Sequence, residues 1–444
     1  MDIDPILSYI GTLLVAGWTG LLDYLAAHVL LCLLPAFFIA GALTALVPKE
    51  AVTKYLGPRA PKFVSYPAAA VGGFVLAVCS CTILPLFAGI WKRGAGLGPA
   101  ITFLFVGPAV NILAIAYTGA AIGMDIALAR IVLSIIFGIG IGLIMAAMFG
   151  GEAVVGDESL ARMGAGEARV RPAIWVFFGL LVALLIAGTL QVEVLTESWL
   201  TVTLPVNVPA GLVAMLEGLN LTVQGALLIG LLALIGIASW LGLEHVAEGL
   251  NGWTGVTLAL VAGTLLVAAP RLDTAGSITV EFTGRFVVVA VLLTALGLVA
   301  VRGLERHEVQ EWLWETWRFV KQIFPLLLMG VFGAGVFKVI IPPEWIQALA
   351  GENTLFANFV GVVFGVFMYF PTLVEVPIAR MFLDLGMARG PLLAYLLADP
   401  ELSLQSILVT HKIMGGKRNV AYVGLVAVFS TLAGWLFGLA LAVT

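Results

Sequence analysis

The 444-residue chain has few charged side chains, and this scarcity excludes most classes of soluble protein. Asp, Glu, Lys and Arg together make up only 11% of its residues, whereas soluble proteins usually contain about 25%. The formal net charge of −4 is too small to indicate a polyanionic partner. A soluble globular enzyme and a nucleic-acid-binding protein are therefore both excluded.

Cysteines, histidines and nucleotide-binding motifs are scarce as well. The three cysteines (Cys32, Cys79 and Cys81) all lie in apolar segments, which does not fit a disulfide framework. Four scattered histidines and the lack of an HExxH sequence give no basis for a zinc enzyme, and no GxxxxGKS or GxxxxGKT sequence provides a Walker-type ATP site. We therefore expect no enzyme activity, no bound metal and no cofactor.

Long apolar runs fill the sequence instead. Apolar residues make up 61% of the chain, and its mean hydropathy is +1.11. Because a helix needs about 20 apolar residues to cross a bilayer, we predict an all-α polytopic integral membrane protein with about 10–12 transmembrane helices. We expect it in the plasma or inner membrane. Its expected partners are the lipid bilayer and a small-molecule or ion substrate, with no nucleic acid, and a homo-oligomer is left open.

Two stretches of the chain match at a constant offset of 292 residues, since 79–111 aligns on 371–403 without gaps. Proline or glycine coincides at five positions: Pro85 on Pro377, Gly94 on Gly386, Gly98 on Gly390, Pro99 on Pro391 and Pro108 on Pro400. We therefore predict two related repeat units separated by a linker and a middle region. The predicted ranges are a first transmembrane repeat unit (1–150), a polar linker (151–172), a divergent middle transmembrane region (173–303) and a second transmembrane repeat unit (304–444).

A proline in the matched segment of each unit predicts a broken helix. Pro85 and Pro377 lack the N–H groups that would bond to the carbonyls of Cys81 and Leu373. Free backbone at membrane depth is tolerated only inside the protein or beside a wet cavity, and such broken helices form the substrate sites of secondary transporters. We expect breaks at 79–85 and 371–377 that approach each other at mid-membrane, although the kinks could serve packing alone. The Lys/Arg bias of the short loops does not decide whether the repeats are inverted or parallel.

The string CSC at the first predicted break places two thiols beside hydroxyl groups. Soft thiolates prefer thiophilic partners such as Cu(I), and trivalent arsenic is thiophilic by the same logic. Two helical positions that are two residues apart point about 200° from each other, so we expect Cys79 or Cys81 to act with Ser80, Thr82 or the second unit. The alternative is that each cysteine packs as a small hydrophobe, which is the interpretation we favour for Cys32.

Three carboxyl groups of the second unit attract attention because they lie within apolar segments, where ionisable residues usually face a cavity or a partner. Glu375 is a predicted proton carrier, and the structural alternative is an ion pair with Arg380. Asp399, Glu401 and Ser403 lie in a turn that matches the one holding Asn111, and they either face the cavity or belong to ordinary helix caps. We assign Glu375, Asp399 and Glu401 to proton coupling. The predicted substrate-binding residues are Cys79, Ser80, Cys81, Thr82, Pro85, Asn111, Thr372, Pro377 and Ser403.

The string VCSCTILPLFAGIWKRGAGLGPAITFLFVGPAVN (78–111), with its CSC, the following proline, the RGA turn and the closing PAxN, resembles the ArsP/YraQ-type predicted permeases. FPTLVEVPIARMFLDLGMARGPLLAYLLADPELS (370–403) is similar to the second half of the same family. Members include exporters of trivalent organoarsenicals and permeases assigned to arsenite or other metal resistance. The resemblance implies that Cys79 and Cys81 are thiol ligands and that Pro85, Asn111 and Pro377 shape the site. Glu375 departs from the plain apolar-serine motif of the family.

These observations together predict a secondary-active permease that exports a small thiophilic solute in a proton-coupled manner. Trivalent arsenic, as arsenite or as a methylated or organic arsenical, is the first candidate. One alternative is a permease for a different small ion or anion, in which the cysteines are structural. From other classes, a membrane thiol-redox protein or a scaffolding membrane subunit would fit the apolar composition.

Overall fold

The computed structural model describes residues 4–27, 31, 33–47, 49–58, 60–76, 80–110, 112–149, 171–189, 193–204, 209, 211, 215–216, 218, 221–273, 278–340, 343–367 and 375–443. Up to the end of the first half these residues form α1 (Asp4–Ala27), α2 (Leu34–Leu46), α3 (Lys49–Leu56), α4 (Lys62–Leu76), α5 (Ser80–Lys92), α6 (Leu97–Ala109), α7 (Ile112–Ala121), α8 (Met124–Phe149), α9 (Pro172–Thr189), α10 (Glu193–Thr196) and β1 (Ser198–Leu204). They are followed by α11 (Val223–Gly242), α12 (Gly252–Ala268), β2 (Arg271–Asp273), β3 (Ile278–Thr283), α13 (Gly284–Gly303), α14 (Arg306–Ile340), α15 (Pro343–Ala350), α16 (Leu355–Phe367), α17 (Glu375–Asp384), α18 (Arg389–Leu402), α19 (Leu404–Met414) and α20 (Gly416–Val443).

The predicted helical, polytopic membrane protein is confirmed, with fewer long helices than the sequence suggests. Within the described ranges, seven helices are long and apolar enough to cross a membrane, or eight if α18 and α19 form one span with a 45° bend. The difference from the predicted 10–12 has a physical reason. Several apolar runs that hydropathy counts as one span fold into shorter helices, as at α5, α6 and α16.

The chain packs as two compact units whose segments alternate along the sequence. Unit 1 comprises Met1–Leu46 and Ala173–Val339, and unit 2 comprises Val47–Pro172 and Ile340–Thr444. This division by packing differs from the predicted ranges, because the segments before residue 47 and between 304 and 339 group with the middle region.

Unit 1 has an aromatic core and a small sheet. The indole of Trp312 donates a hydrogen bond to the Phe38 carbonyl at 2.9 Å, and its ring meets Phe177 edge-to-face at 4.8 Å. β1, β3 and β2 form an antiparallel sheet in that order, which the all-α prediction did not include. Its strands SWLTVTL and ITVEFT are rich in β-branched and aromatic residues, which favour strands. Within the predicted middle transmembrane region (173–303), residues 193–204 therefore form α10 and β1.

In unit 2, helix bounds recur at the 292-residue offset. α5 ends at Lys92 and α17 at Asp384, whereas α6 and α18 begin at Leu97 and Arg389, α7 and α19 at Ile112 and Leu404, and α8 and α20 at Met124 and Gly416. The turns before α6 and α18 contain Gly94 and Gly386, whose φ angles of +86° and +93° favour glycine.

Close helix contacts recur at the same offset. A Cβ atom on Gly98 of α6 would lie 2.8 Å from the Gly142 carbonyl oxygen of α8, and one on Gly390 of α18 would lie 2.7 Å from the Gly434 carbonyl oxygen of α20. Only glycine allows these backbones to approach so closely. The two halves of unit 2 therefore use equivalent glycines to pack equivalent helices.

α8 and α20 meet at residues that are themselves 292 positions apart. The rings of Phe137 and Phe429 pack edge-to-face with centroids 5.2 Å apart. The apolar groove beside this contact is lined by residues that precede Phe137 on α8 (128–133) and residues that follow Phe429 on α20 (432–437). Early residues of one helix therefore face late residues of the other, so α8 and α20 run antiparallel. The packing is reciprocal elsewhere too, since α5 contacts α19 and α7 contacts α17.

Candidate functional site

The first predicted break lies next to α5. α5 is continuous from Ser80 through the buried Pro85 to Lys92, so the break does not fall within 80–85. Pro85 is the sixth residue of this helix and removes only the bond to the Cys81 carbonyl, a loss that the surrounding helix tolerates. Residues 77–79, including Cys79, lie outside the described residues, as do Asn111 and Cys32. Cys81 is the second residue of α5.

The second predicted break lies next to α17. This helix begins at Glu375, which places Pro377 in its first turn. N–H groups in the first turn have no partner within the helix, so Pro377 interrupts no bond there. Pro377, one of the predicted substrate-binding residues, has an exposed side chain. Residues 368–374, with Thr372, lie outside the described residues.

A closed cleft in unit 2 joins segments of its two halves. Ser80, the first residue of α5, contributes a hydroxyl group, and Thr82 is fully buried in the following turn. The space between these residues is too narrow to hold a water molecule. The lining residues are Ser80, Ile83, Leu84, Leu104, Pro400, Glu401, Ser406 and Thr410. The structure thus places Ser80, the residue between the two cysteines, against the turn formed by residues 398–403.

Ser403 acts as a helix cap at the bend between α18 and α19. Its hydroxyl oxygen accepts a hydrogen bond from the Ser406 backbone N–H at 3.4 Å, and the two hydroxyl groups are 2.8 Å apart. Thr410, one turn later, bonds to the Asn419 side chain at 2.6 Å. Of the two interpretations left open for Ser403, the structure supports the helix cap.

Glu401 faces this cleft and is buried. Its Oε2 atom accepts a hydrogen bond from the Tyr422 hydroxyl at 2.7 Å. Its Oε1 atom has no partner within the part of the chain that the structure describes. A buried acceptor without a partner is unfavourable, so this oxygen is available to a ligand that can donate a hydrogen bond.

Glu375 forms a buried ion pair with Arg130 of α8, at an Nη2–Oε2 distance of 3.0 Å. The alternative partner expected from the sequence, Arg380, instead pairs with Asp384 at 3.1 Å on the exposed side of α17. The reason is helical geometry. Residues five apart on a helix point in different directions, whereas residues four apart lie on one face. Glu375 also stands at the helix N-terminus, where a negative charge is favourable.

Asp399 and Tyr395 complete a group of buried ionisable side chains. They lie one turn apart on α18, within electrostatic range of Arg130 and Glu375. We call these four residues the buried charge cluster. Among the described residues, neither carboxylate oxygen of Asp399 has a hydrogen-bond partner, and the Tyr395 hydroxyl has none.

The sequence placed Asp399 and Glu401 together, but α18 separates them. Two positions along a helix, they point to different sides, so Asp399 joins the buried charge cluster while Glu401 faces the cleft. Over the described ranges, no group of three or more His, Cys, Asp or Glu residues could hold a metal ion.

Sequence reasoning missed Arg130, although a signal was present. It is the only charged residue in the apolar run 126–149, and such residues usually have a buried partner. Tyr422 was missed as well, and it stands at the position 292 residues after Arg130. Both side chains donate to a buried carboxylate.

The comparisons with known proteins cover nearly the whole chain. The model of a family described as predicted permeases, of the ArsP type, matches residues 15–439. UPF0718 protein MJ0584 of Methanocaldococcus jannaschii is 34% identical over 438 residues, which covers 98% of this chain and 99% of that protein. No solved structure matches the chain. The resemblance noted in the sequence is therefore confirmed, and the chain belongs to the ArsP-type family of predicted permeases.

Proposed function

We propose that the protein is a secondary-active permease of the plasma or inner membrane that exports a small solute through unit 2 in exchange for protons. The observation that carries this proposal is the set of four ionisable side chains, Arg130, Glu375, Asp399 and Glu401, buried in a unit with membrane-spanning helices. Intramembrane ionisable residues are costly and generally mark ion or substrate pathways. Membership in a permease family favours a transporter over an enzyme.

In this proposal α4–α8 and α16–α20 are inverted repeats. The recurrent helix bounds support a duplication, and the antiparallel course of α8 and α20 supports inversion. A two-fold axis that relates antiparallel spanning helices lies in the membrane plane, as in inverted-repeat transporters. Such transporters open their site to either side of the membrane in turn. The predicted repeat units 1–150 and 304–444 contain these helices.

The closed cleft is the proposed solute site in an occluded state. It brings the start of α5 against the α18–α19 bend, and it is too narrow for water. Opening requires α5 to separate from α19, which are in contact. The proposed substrate-binding residues Ser80 and Thr82 would then reach the solute together with Glu401.

A thiophilic solute, with trivalent arsenic first, is the proposed substrate class. The support is that the two cysteines are sequence neighbours of a residue in the cleft. Cys79 and Cys81 flank Ser80, which lines the cleft, and a thiolate is the ligand type that such solutes prefer. Arsenite at neutral pH is an uncharged trihydroxy molecule, so its hydroxyl groups could donate to the unpartnered Glu401 Oε1.

Transport assays in everted membrane vesicles test the function. The panel consists of arsenite, trivalent methylarsenicals, divalent metals and small anions, each with and without a pH gradient. We expect gradient-dependent uptake of a trivalent arsenical. If only a metal or an anion is taken up, that compound replaces trivalent arsenic as the proposed substrate. If no compound of the panel is taken up, the permease proposal is contradicted.

The double variant Cys79→Ser/Cys81→Ser tests the thiols separately. Serine preserves side-chain size and leaves Pro85 in place, so membrane insertion should be normal. We expect loss of resistance to trivalent arsenicals, whereas Cys32→Ser should be silent. Export equal to that of the parent would remove the cysteines from the site while leaving the permease proposal intact.

A further inference from the structure

We propose that Asp399, rather than Glu375, carries the coupling proton, and that Arg130 is the positioning residue that assigns the proton to it. The inference rests on the proposed function, because it concerns the proton step of the same permease. It starts from the different surroundings of two carboxyl groups that the sequence treats alike.

Glu375 has a counter-ion and Asp399 does not. The guanidinium of Arg130 lies 3.0 Å from Glu375 Oε2, so the two opposite charges neutralise each other. Asp399 is equally buried, and both of its carboxylate oxygens lack partners in the described part of the chain. A buried carboxylate without a partner is far less stable than its neutral acid. In this conformation, therefore, Glu375 is ionised and Asp399 holds a proton.

Among the described residues, no other charged group that faces Asp399 changes this assignment. From the packed elements, Arg130 of α8 and Glu375 of α17 face it, and Tyr395 lies on its own helix. α6 and α16 contain no ionisable side chain. Tyr422 of α20 is bonded to Glu401. The ionisable residues of α19, His411 and Lys412, lie in its last turn and are exposed.

Arg130 has donors left for a second carboxylate. Its Nη2–H bonds to Glu375, while Nε and Nη1 have no partner among the described residues. When Asp399 releases its proton to water on one side of the membrane, its new negative charge attracts these free donors. A proton taken up from the other side neutralises Asp399 and returns Arg130 to Glu375 alone. One proton moves per cycle, and no covalent bond other than the carboxylic O–H changes.

The first half of unit 2 has no carboxyl group at the positions that match Glu375 and Asp399. The positions 292 residues before Glu375 and Asp399 are Ile83 and Gly107. The backbone packing is otherwise alike, because a Cβ on Gly73 would lie 2.9 Å from the Gly107 nitrogen and one on Gly365 would lie 3.0 Å from the Asp399 nitrogen. The second half thus adds one carboxyl group to an equivalent helix contact, which fits one proton per cycle.

Infrared difference spectroscopy of the purified protein tests the assignment without any solute. The carbonyl stretch of a protonated carboxylic acid is recorded against pH for the parent, Asp399→Asn, Glu375→Gln and the control Asp384→Asn, an exposed acid on α17. We expect Asp399→Asn to lose the component of the pH-dependent band that belongs to this acid, and the control to keep it. Asp399→Glu should shift the band. A band that survives Asp399→Asn and disappears in Glu375→Gln would overturn the inference.

Proteoliposomes loaded with arsenite supply the transport readout. Asp399→Asn, which imitates the neutral acid, should lose the arsenite accumulation driven by a pH gradient, from at least about tenfold to none, whereas the control Asp384→Asn should keep both this accumulation and arsenite exchange at zero gradient. Glu375→Gln frees Arg130 to hold Asp399 permanently, so exchange should fall as well. Gradient-driven accumulation by Asp399→Asn would overturn this inference but not the proposed function. If the parent protein transports no solute, the proposed function is overturned. The infrared experiment then still decides which carboxyl group holds the proton, because it needs no solute.

Discussion

Arg130→Met is expected to lower the free energy of unfolding by about 3–5 kcal/mol, because it leaves Glu375 buried without its counter-ion. The two side chains are 0% and 1% exposed, and their charged atoms are 3.0 Å apart. With an effective dielectric constant of about 20, Coulomb's law gives an attraction of about 5.5 kcal/mol at that separation. Glu375→Leu should cost less, because the free donors of Arg130 can then pair with Asp399. The double variant removes both charges and should cost much less than the sum.

A double-mutant cycle measures this coupling in reversible unfolding experiments in mixed detergent micelles. The control is the pair Arg380 and Asp384, which are 3.1 Å apart but 53% and 59% exposed. Exposed pairs of this kind on one helix contribute about 0.3–0.5 kcal/mol. Both pairs join a guanidinium to a carboxylate at nearly the same distance, so they differ mainly in burial. The coupling energy of the buried pair should therefore be several-fold larger.

The two single variants should also respond differently to pH. In Arg130→Met the unpaired Glu375 can be neutralised by a proton, so the destabilisation should be smaller at low pH than at high pH. In Glu375→Leu the guanidinium keeps its proton and only ionised Asp399 is left to pair with it, so the destabilisation should grow rather than shrink as the pH falls. A coupling energy below about 1 kcal/mol for the buried pair, no larger than that of an exposed pair, would refute the reasoning.

Two further predictions concern packing and surface electrostatics. Gly98→Ala and Gly390→Ala should each destabilise unit 2 by about 1–3 kcal/mol, because the new methyl group meets backbone. Gly424→Ala, in open space on α20, should be neutral or stabilising by up to about 1 kcal/mol in the same unfolding assay, and equal effects at all three sites would contradict the repeated contact. In unit 1, hydrogen bonds from Lys321 and Trp317 lower the pKa of Glu244. The resulting stability is present above the usual glutamate pKa of about 4.3 and is lost as the pH falls through the lowered value, so the unfolding profile of Glu244→Gln should be flatter below about pH 4.3.

The locally encoded features of the fold could be predicted from the sequence. Glycines 94 and 386 were matched by alignment alone, and both take the left-handed φ that the turn requires. A proline or a glycine constrains its own backbone, whatever the rest of the chain does. The number of long helices could not be predicted in the same way, since hydropathy does not show where an apolar run such as 99–120 is divided between α6 and α7.

The candidate site was predictable only in part. Glu375 was identified because a carboxyl group within an apolar segment is unusual, and it is buried. Its partner was not, because Arg130 lies 245 positions away in sequence and only tertiary packing brings the two together. The roles of Asp399 and Glu401 depend on which neighbouring helix each side of α18 faces, and the sequence of α18 alone does not contain this information.

The sequence by itself determined the class of protein, its family and the two related segments, because composition, motifs and Pro/Gly spacing are properties of the chain that folding does not alter. The tertiary structure decided which charges neutralise each other and in which relative direction the equivalent helices of the two halves of unit 2 run. The antiparallel course of α8 and α20 follows from contacts between residues 128–137 and 429–437, which no local pattern specifies. The Arg130–Glu375 pair likewise exists only because burial makes an unpaired charge far more costly than it is in water.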